Sequence, residues 1–157
     1  MKIVKKILVA LLIIFVVMQF IRPEKNIDST DHLSAFIQET KPSAEVENIL
    51  KKACYDCHSN HTVYPWYAEV APVSYWLDDH IEHGKGHLNF SAWDTYSVKK
   101  KDHKMEEVIE YVENRWMPLN SYTWGHAEAK LTDEQIQTIT DWAKALRLTY
   151  QLADRPQ

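Results

Sequence analysis

Both cysteines of this 157-residue chain fall in one short run, Cys54-Tyr55-Asp56-Cys57-His58, and no other feature narrows the fold as far. The spacing C-x-x-C-H reads as a covalent haem site. Residues three apart share a face of a helical turn, so both sulfurs can reach one porphyrin edge and form thioethers with its vinyl groups. His58 then turns its imidazole toward the iron as the proximal ligand. A structural zinc site needs four ligands, and there is no second cysteine pair. A thioredoxin-like redox pair belongs beside a βαβ pattern, whereas an apolar stripe of helical period leads into Cys54. Neither these rivals nor a plain structural disulfide requires a histidine directly after the second cysteine.

The chain opens Met1-Lys2-Ile3-Val4-Lys5-Lys6 and then runs from Ile7 to Ile21 with Gln19 as the one polar residue. Such a segment reads as a targeting or anchoring helix. Its length lies near the lower limit for a membrane span, and it ends Phe20-Ile21-Arg22-Pro23 without the small residues of a cleavage site. We therefore expect residues 1–23 to be an uncleaved signal anchor. The lysines would keep the N-terminus in the cytoplasm and place the remainder in the periplasm, a single-pass inner-membrane arrangement. Haem attachment through C-x-x-C-H belongs in that compartment as well.

Charge narrows the partners. Four of the 18 basic side chains, Lys2, Lys5, Lys6 and Arg22, precede residue 24, which leaves 14 against 22 acidic ones in the remainder. An acidic domain is a poor binder of nucleic acid. The rest of the chain suffices for one domain with its own core.

No stretch alternates convincingly at period two, so the expected class is all-α. Residues 24–41 read as a tether ending in a short helix around Leu33, Phe36 and Ile37. Ser43 is placed to cap a helix whose stripe Val46, Ile49, Leu50 and Ala53 leads into Cys54. The aromatic stretch from Ser59 to Tyr67 is expected as a loop wrapping the cofactor. A second helix should begin after Pro72 and stop at Gly84, and a third should span about 102–115. The last is marked by Thr132 and Gln135 as a capping box, with Leu131 and Ile136 as a hydrophobic staple. The domain thus spans 42–150, and 151–157 form a polar tail. His80, His83 and His87 lie close in sequence, but Gly84 and Gly86 should break the helix that would align them.

Met117 precedes Pro118, which biases it toward extended backbone, and its thioether is the candidate distal ligand of the iron. His61, His80, His83, His87, His103 and His126 compete for that position, and His103 and His126, which flank the Met117 region, are the principal rivals. His61 follows His58 too closely to reach the opposite haem face.

The order of C-x-x-C-H after an amphipathic helix, Met117-Pro118 about 60 residues later and a capped C-terminal helix carrying Trp142 resembles the small cytochromes c. Cys54 to Tyr67, Asn89-Phe90-Ser91 and Met117-Pro118 resemble more closely the membrane-anchored, Bacteroidetes-type haem-binding domain family. The resemblance implies a cytochrome c-like domain with one haem c, Cys54 and Cys57 as attachment cysteines, His58 as proximal and Met117 as distal ligand. An electron carrier with unidentified redox partner proteins, loaded by the cytochrome c maturation machinery, is the leading expectation. A haem-based enzyme or ligand sensor of peroxidase-like kind requires instead a displaceable sixth ligand. An assembly factor binding a metal ion through the cysteines and histidines would show no haem spectrum.

Overall fold

The computed structural model describes residues 2–29 and 31–154, and among them every regular element is helical. The one β feature is an isolated antiparallel bridge between Ile27 and His61. The all-α expectation therefore holds.

The N-terminal expectation does not. The first helix, α1, spans Lys2–Met18, 17 residues, or about 25 Å at 1.5 Å per residue. A bilayer core is roughly 30 Å thick. Among the described residues no helix is long and apolar enough to cross a membrane, and the single-pass inner-membrane reading is corrected accordingly. The reason lies at Gln19, where the chain leaves the helix. Its side-chain amide donates to the Ala71 carbonyl at 3.2 Å while its carbonyl oxygen accepts from the Ala71 N–H at 3.0 Å. The one hydroxyl hydrogen of Tyr75 is shared between the Met18 and Ile21 carbonyls, and Arg22 and Lys25 both pair with Glu69.

Two short pieces follow, α2 (Ser34–Thr40) and α3 (Ala44–Ala53), and then the single turn α4 (Tyr55–His58) that carries the cysteines. The Ser43 hydroxyl accepts from Val46 N–H at 3.2 Å, the cap expected from sequence. Helix α5 (Val73–His87) continues through Gly84 and Gly86 rather than stopping at the first of them. Helix α6 (Val98–Glu113) begins earlier than its apolar stripe suggests because Ser97 caps it. A short α7 (Asn120–Gly125) precedes α8 (Asp133–Ala153), whose capping box between Thr132 and Gln135 is formed at both bonds. Helix α8 also takes in residues 151–153 of the expected tail, while 155–157 lie outside the described residues.

Helix α8 packs along α6 and against α3, so the helices near Val46 and Ile139 meet as expected. Between them lies an aromatic core. Phe36 is fully buried, 4.7 Å from the Phe90 ring and 5.3 Å edge-on from Trp93. Phe36 comes from the segment read as a tether, which thus contributes to the core. Aromatic rings at these separations and angles add to the free energy of burial. Residues 25–28 also form a strap. Asn26 donates to Ser59 O and Thr62 Oγ1, both at 2.9 Å, and Thr62 N–H donates back to Asn26 O.

One polar network ties α2, α6 and α8 together. Lys101, 8 % exposed, donates to Glu39 at 2.6 Å. Tyr150 donates to the other Glu39 oxygen at 2.9 Å and accepts from Trp93 Nε1 at 3.3 Å. Burial alone would raise the Glu39 carboxyl, but the bonds from Lys101 and Tyr150 and the Lys101 charge outweigh it, and the net shift is downward. A depressed folded-state pKa contributes stability that is present above the ordinary glutamate value and lost as pH falls through the folded one. Urea denaturation at a series of pH values should therefore show stability falling below about pH 4.5. Glu39→Gln should flatten that limb.

Candidate functional site

A cavity of about 390 Å³ opens between α3, α4, α5, α6 and the segment after α6. That size lies within the range of small-molecule and cofactor pockets. Cys54, Cys57, His58 and Met117 all line it. The remaining wall is predominantly apolar, with Leu50 and Ala53 from α3, Val108 and Val112 from α6, and Ile139 from α8. Ala53, expected in the core stripe, is cavity lining.

The arrangement begins with the junction of α3 and α4. Cys54 breaks the helix, and the N–H groups of Cys57 and His58 both donate to its carbonyl, at 3.2 and 3.0 Å. The turn then restarts with both thiols toward the cavity. Both cysteines are free. Burial, with a smaller contribution from Cys57, pushes the Cys54 thiol up to about 12. Burial and the Asp56 charge raise Cys57 to about 11. At neutral pH both are uncharged thiols, a state that resists disulfide exchange and casual metal capture.

His58 is held more tightly. Its Nδ1 lies 2.9 Å from Gly84 O and 3.0 Å from Leu88 O. Carbonyl oxygens only accept, so Nδ1 must carry the hydrogen, and the lone pair sits on Nε2. This is the tautomer of a metal-ligating histidine whose other nitrogen is bonded to backbone carbonyls. Burial lowers the His58 pKa, partly offset by those two carbonyls, and so keeps the imidazole neutral. The donor set of neutral imidazole and two thiols beside an apolar cavity fits a haem.

Gly84 allows the approach. A Cβ at that position would lie 2.6 Å from Cys57 O, whereas one at Gly86 would meet nothing within 4 Å. The glycine read as a stop signal is the contact point of α5 on α4.

Continuity of α5 also changes the histidine picture. His80, His83 and His87 share one helix and all line the cavity. Yet no group of three His, Cys, Asp or Glu able to hold a metal ion occurs among the described residues. Those three histidines share the cavity wall with Met117 and are among its expected rivals, whereas the two principal ones lie elsewhere. His103 is exposed on α6 beside Glu106 and Glu107, and His126 stacks on Tyr122 and meets the Tyr67 hydroxyl at 3.0 Å. Neither lines the cavity. His61 points its Nδ1 at Asp28 O on the strap.

The aromatic run from Ser59 to Tyr67 does not wrap the cavity. Trp66 is 81 % exposed, and Pro65 and Tyr67 line a small neighbouring cleft that shares Cys57, His80, Leu119 and Tyr122 with the cavity wall. Bonds to Asn26 of the strap tie the run down at Thr62 and Tyr64. The aromatic side chains at the cavity are instead Phe90, Tyr111 and Tyr122, of which sequence reasoning singled out Phe90 alone, within Asn89-Phe90-Ser91. A glycine inside an otherwise helical pattern was the one available signal for the close approach.

The family model of the haem-binding domain matches residues 13–145, most of the chain. This chain belongs to the haem-binding domain family. No curated protein and no solved structure matches it. In this haem-binding domain the matched span runs from within α1 into α8, so it contains every residue of the cavity wall described above.

Two alanine substitutions test the glycine contact. Gly84→Ala should destabilise by about 1–3 kcal/mol, since the added methyl meets backbone that cannot move aside. Gly86→Ala should stabilise by up to about 1 kcal/mol through helix propensity. Denaturant unfolding of the two variants reads the difference.

Proposed function

We propose that this haem-binding domain is a monohaem c-type cytochrome-like protein that transfers electrons. The observation that carries the reading is the His58 tautomer, with Nε2 unprotonated on a cavity shared with both cysteine thiols and Met117. Cys54 and Cys57 would hold haem c through two thioethers, His58 would ligate the iron and Met117 would supply the distal ligand. Bound haem supplies a one-electron iron centre.

The chain's own residues do the rest. His58, fixed by two carbonyls, cannot rotate its ring without losing both bonds, which keeps the proximal ligand in place through a change of iron charge. The apolar walls from α3, α6 and α8 exclude water, and Met117 leaves no ready position for an exogenous ligand. Exclusion of water and thioether ligation both favour the reduced state and raise the potential. Redox partner proteins would take electrons to and from this site, and the cytochrome c maturation machinery would load it.

The test uses the protein expressed with that machinery. Met117→Ala should keep the haem covalently attached, lower the reduction potential and remove the far-red band of methionine-bound ferric haem. His103→Ala and His126→Ala should leave band and potential unchanged. Rapid binding of carbon monoxide by the wild type, together with peroxide turnover, would contradict electron transfer and favour a haem-based enzyme or sensor.

A further inference from the structure

The segment that carries Met117 is held at two ends. On its N-terminal side the N–H groups of Trp116 and Met117 both donate to Tyr111 O at the end of α6, at 2.9 and 3.1 Å. On its C-terminal side stands α7, none of whose residues is fully buried and whose Tyr122 is partly so. Its hold therefore depends on particular side chains, Tyr122 first among them. Tyr122 reaches from α7 to the attachment turn and donates to Asp56 Oδ2 at 2.8 Å. Asp56 stands between the two cysteines and uses its other oxygen to accept from Val63 N–H at 3.0 Å. The far side of the Tyr122 ring stacks on His126, with centroids 4.4 Å apart and planes at 15°, and His126 in turn meets Tyr67.

We propose that Tyr122 and Asp56 are positioning residues, a latch that fastens the Met117 segment to the haem-attachment turn and so sets how readily the sixth ligand can be displaced. This rests on the reading of Met117 as distal ligand. The latch joins what the sequence holds far apart: the aspartate within C-x-x-C-H and the tyrosine five residues past the methionine share one bond to a charged acceptor. Such bonds are among the stronger ones in proteins. Burial and the nearby Asp56 charge raise the Tyr122 hydroxyl, so it remains a donor at neutral pH. Tyr122 and Leu119 also form the wall between the cavity and the neighbouring cleft, so release of the latch would open a path to the iron from that side.

Tyr122→Phe removes the hydroxyl alone. In the haem-loaded ferric protein it should tighten imidazole binding by about tenfold or more, the factor expected from losing one hydrogen bond to a carboxylate. It should also weaken the far-red methionine band and speed hydrogen exchange over residues 116–125. Asp56→Asn is the conservative control, because its amide can donate to the tyrosine oxygen while its carbonyl still serves Val63. With a hydrogen bond kept but its charge removed, it should fall between wild type and Tyr122→Phe in all three measurements. Unchanged imidazole affinity and exchange in Tyr122→Phe would overturn the latch. A wild-type protein without the methionine band overturns the Met117 reading instead. Exchange then decides the latch alone, acceleration supporting it and no change refuting it.

Discussion

The bond from His58 Nδ1 to the carbonyls of Gly84 and Leu88 is the constraint on which the site depends. It fixes the imidazole tautomer, and it requires the last turn of α5 to lie directly on the attachment turn. That contact is possible only because Gly84 has no side chain to collide with Cys57 O. The Leu88 carbonyl becomes available where α5 ends and the backbone turns extended. One helix terminus thus supplies both acceptors, and the histidines of α5 come to the cavity as a consequence.

The residues that meet at the cavity were legible in the sequence where their arrangement is local. Cys54, Cys57 and His58 lie on a single turn, and the Ser43 and Thr132 caps are likewise decided within a few residues. Helix periodicity also placed Val46, Ile49 and Leu50 in the core. What could not be read were contacts between distant segments. Gly84 looked like a helix stop, since propensity disfavours glycine in a helix and nothing local shows a neighbouring backbone 2.6 Å from its missing Cβ. The aromatic run after His58 reads as cofactor packing, but Asn26, over 30 residues upstream, ties it down, and Pro65 and Tyr67 line the neighbouring cleft instead of the cavity. The N-terminal segment was judged on apolar run length, whereas its helix ends at Met18 once Gln19 bonds to Ala71, 52 residues away.

Packing around the cavity separates two jobs. The core of Phe36, Phe90 and Trp93 is closed by the network of Glu39, Lys101 and Tyr150, and Phe90 carries it to the cavity wall. The Met117 segment and α7 rest instead on hydrogen bonds and a ring stack, with no residue of α7 fully buried. On the proposed reading, the His58 side is the part that must not move and the Met117 side the part whose hold can be released. The neutral thiols belong to the rigid part, protected by the burial that raises them.

The account stands on covalent haem at Cys54 and Cys57, and intact-protein mass spectrometry under denaturing conditions tests that most directly. For protein made with the cytochrome c maturation machinery, the predicted result is one species heavier than the polypeptide by a single haem. A polypeptide mass alone, with haem lost on denaturation, would contradict the c-type assignment.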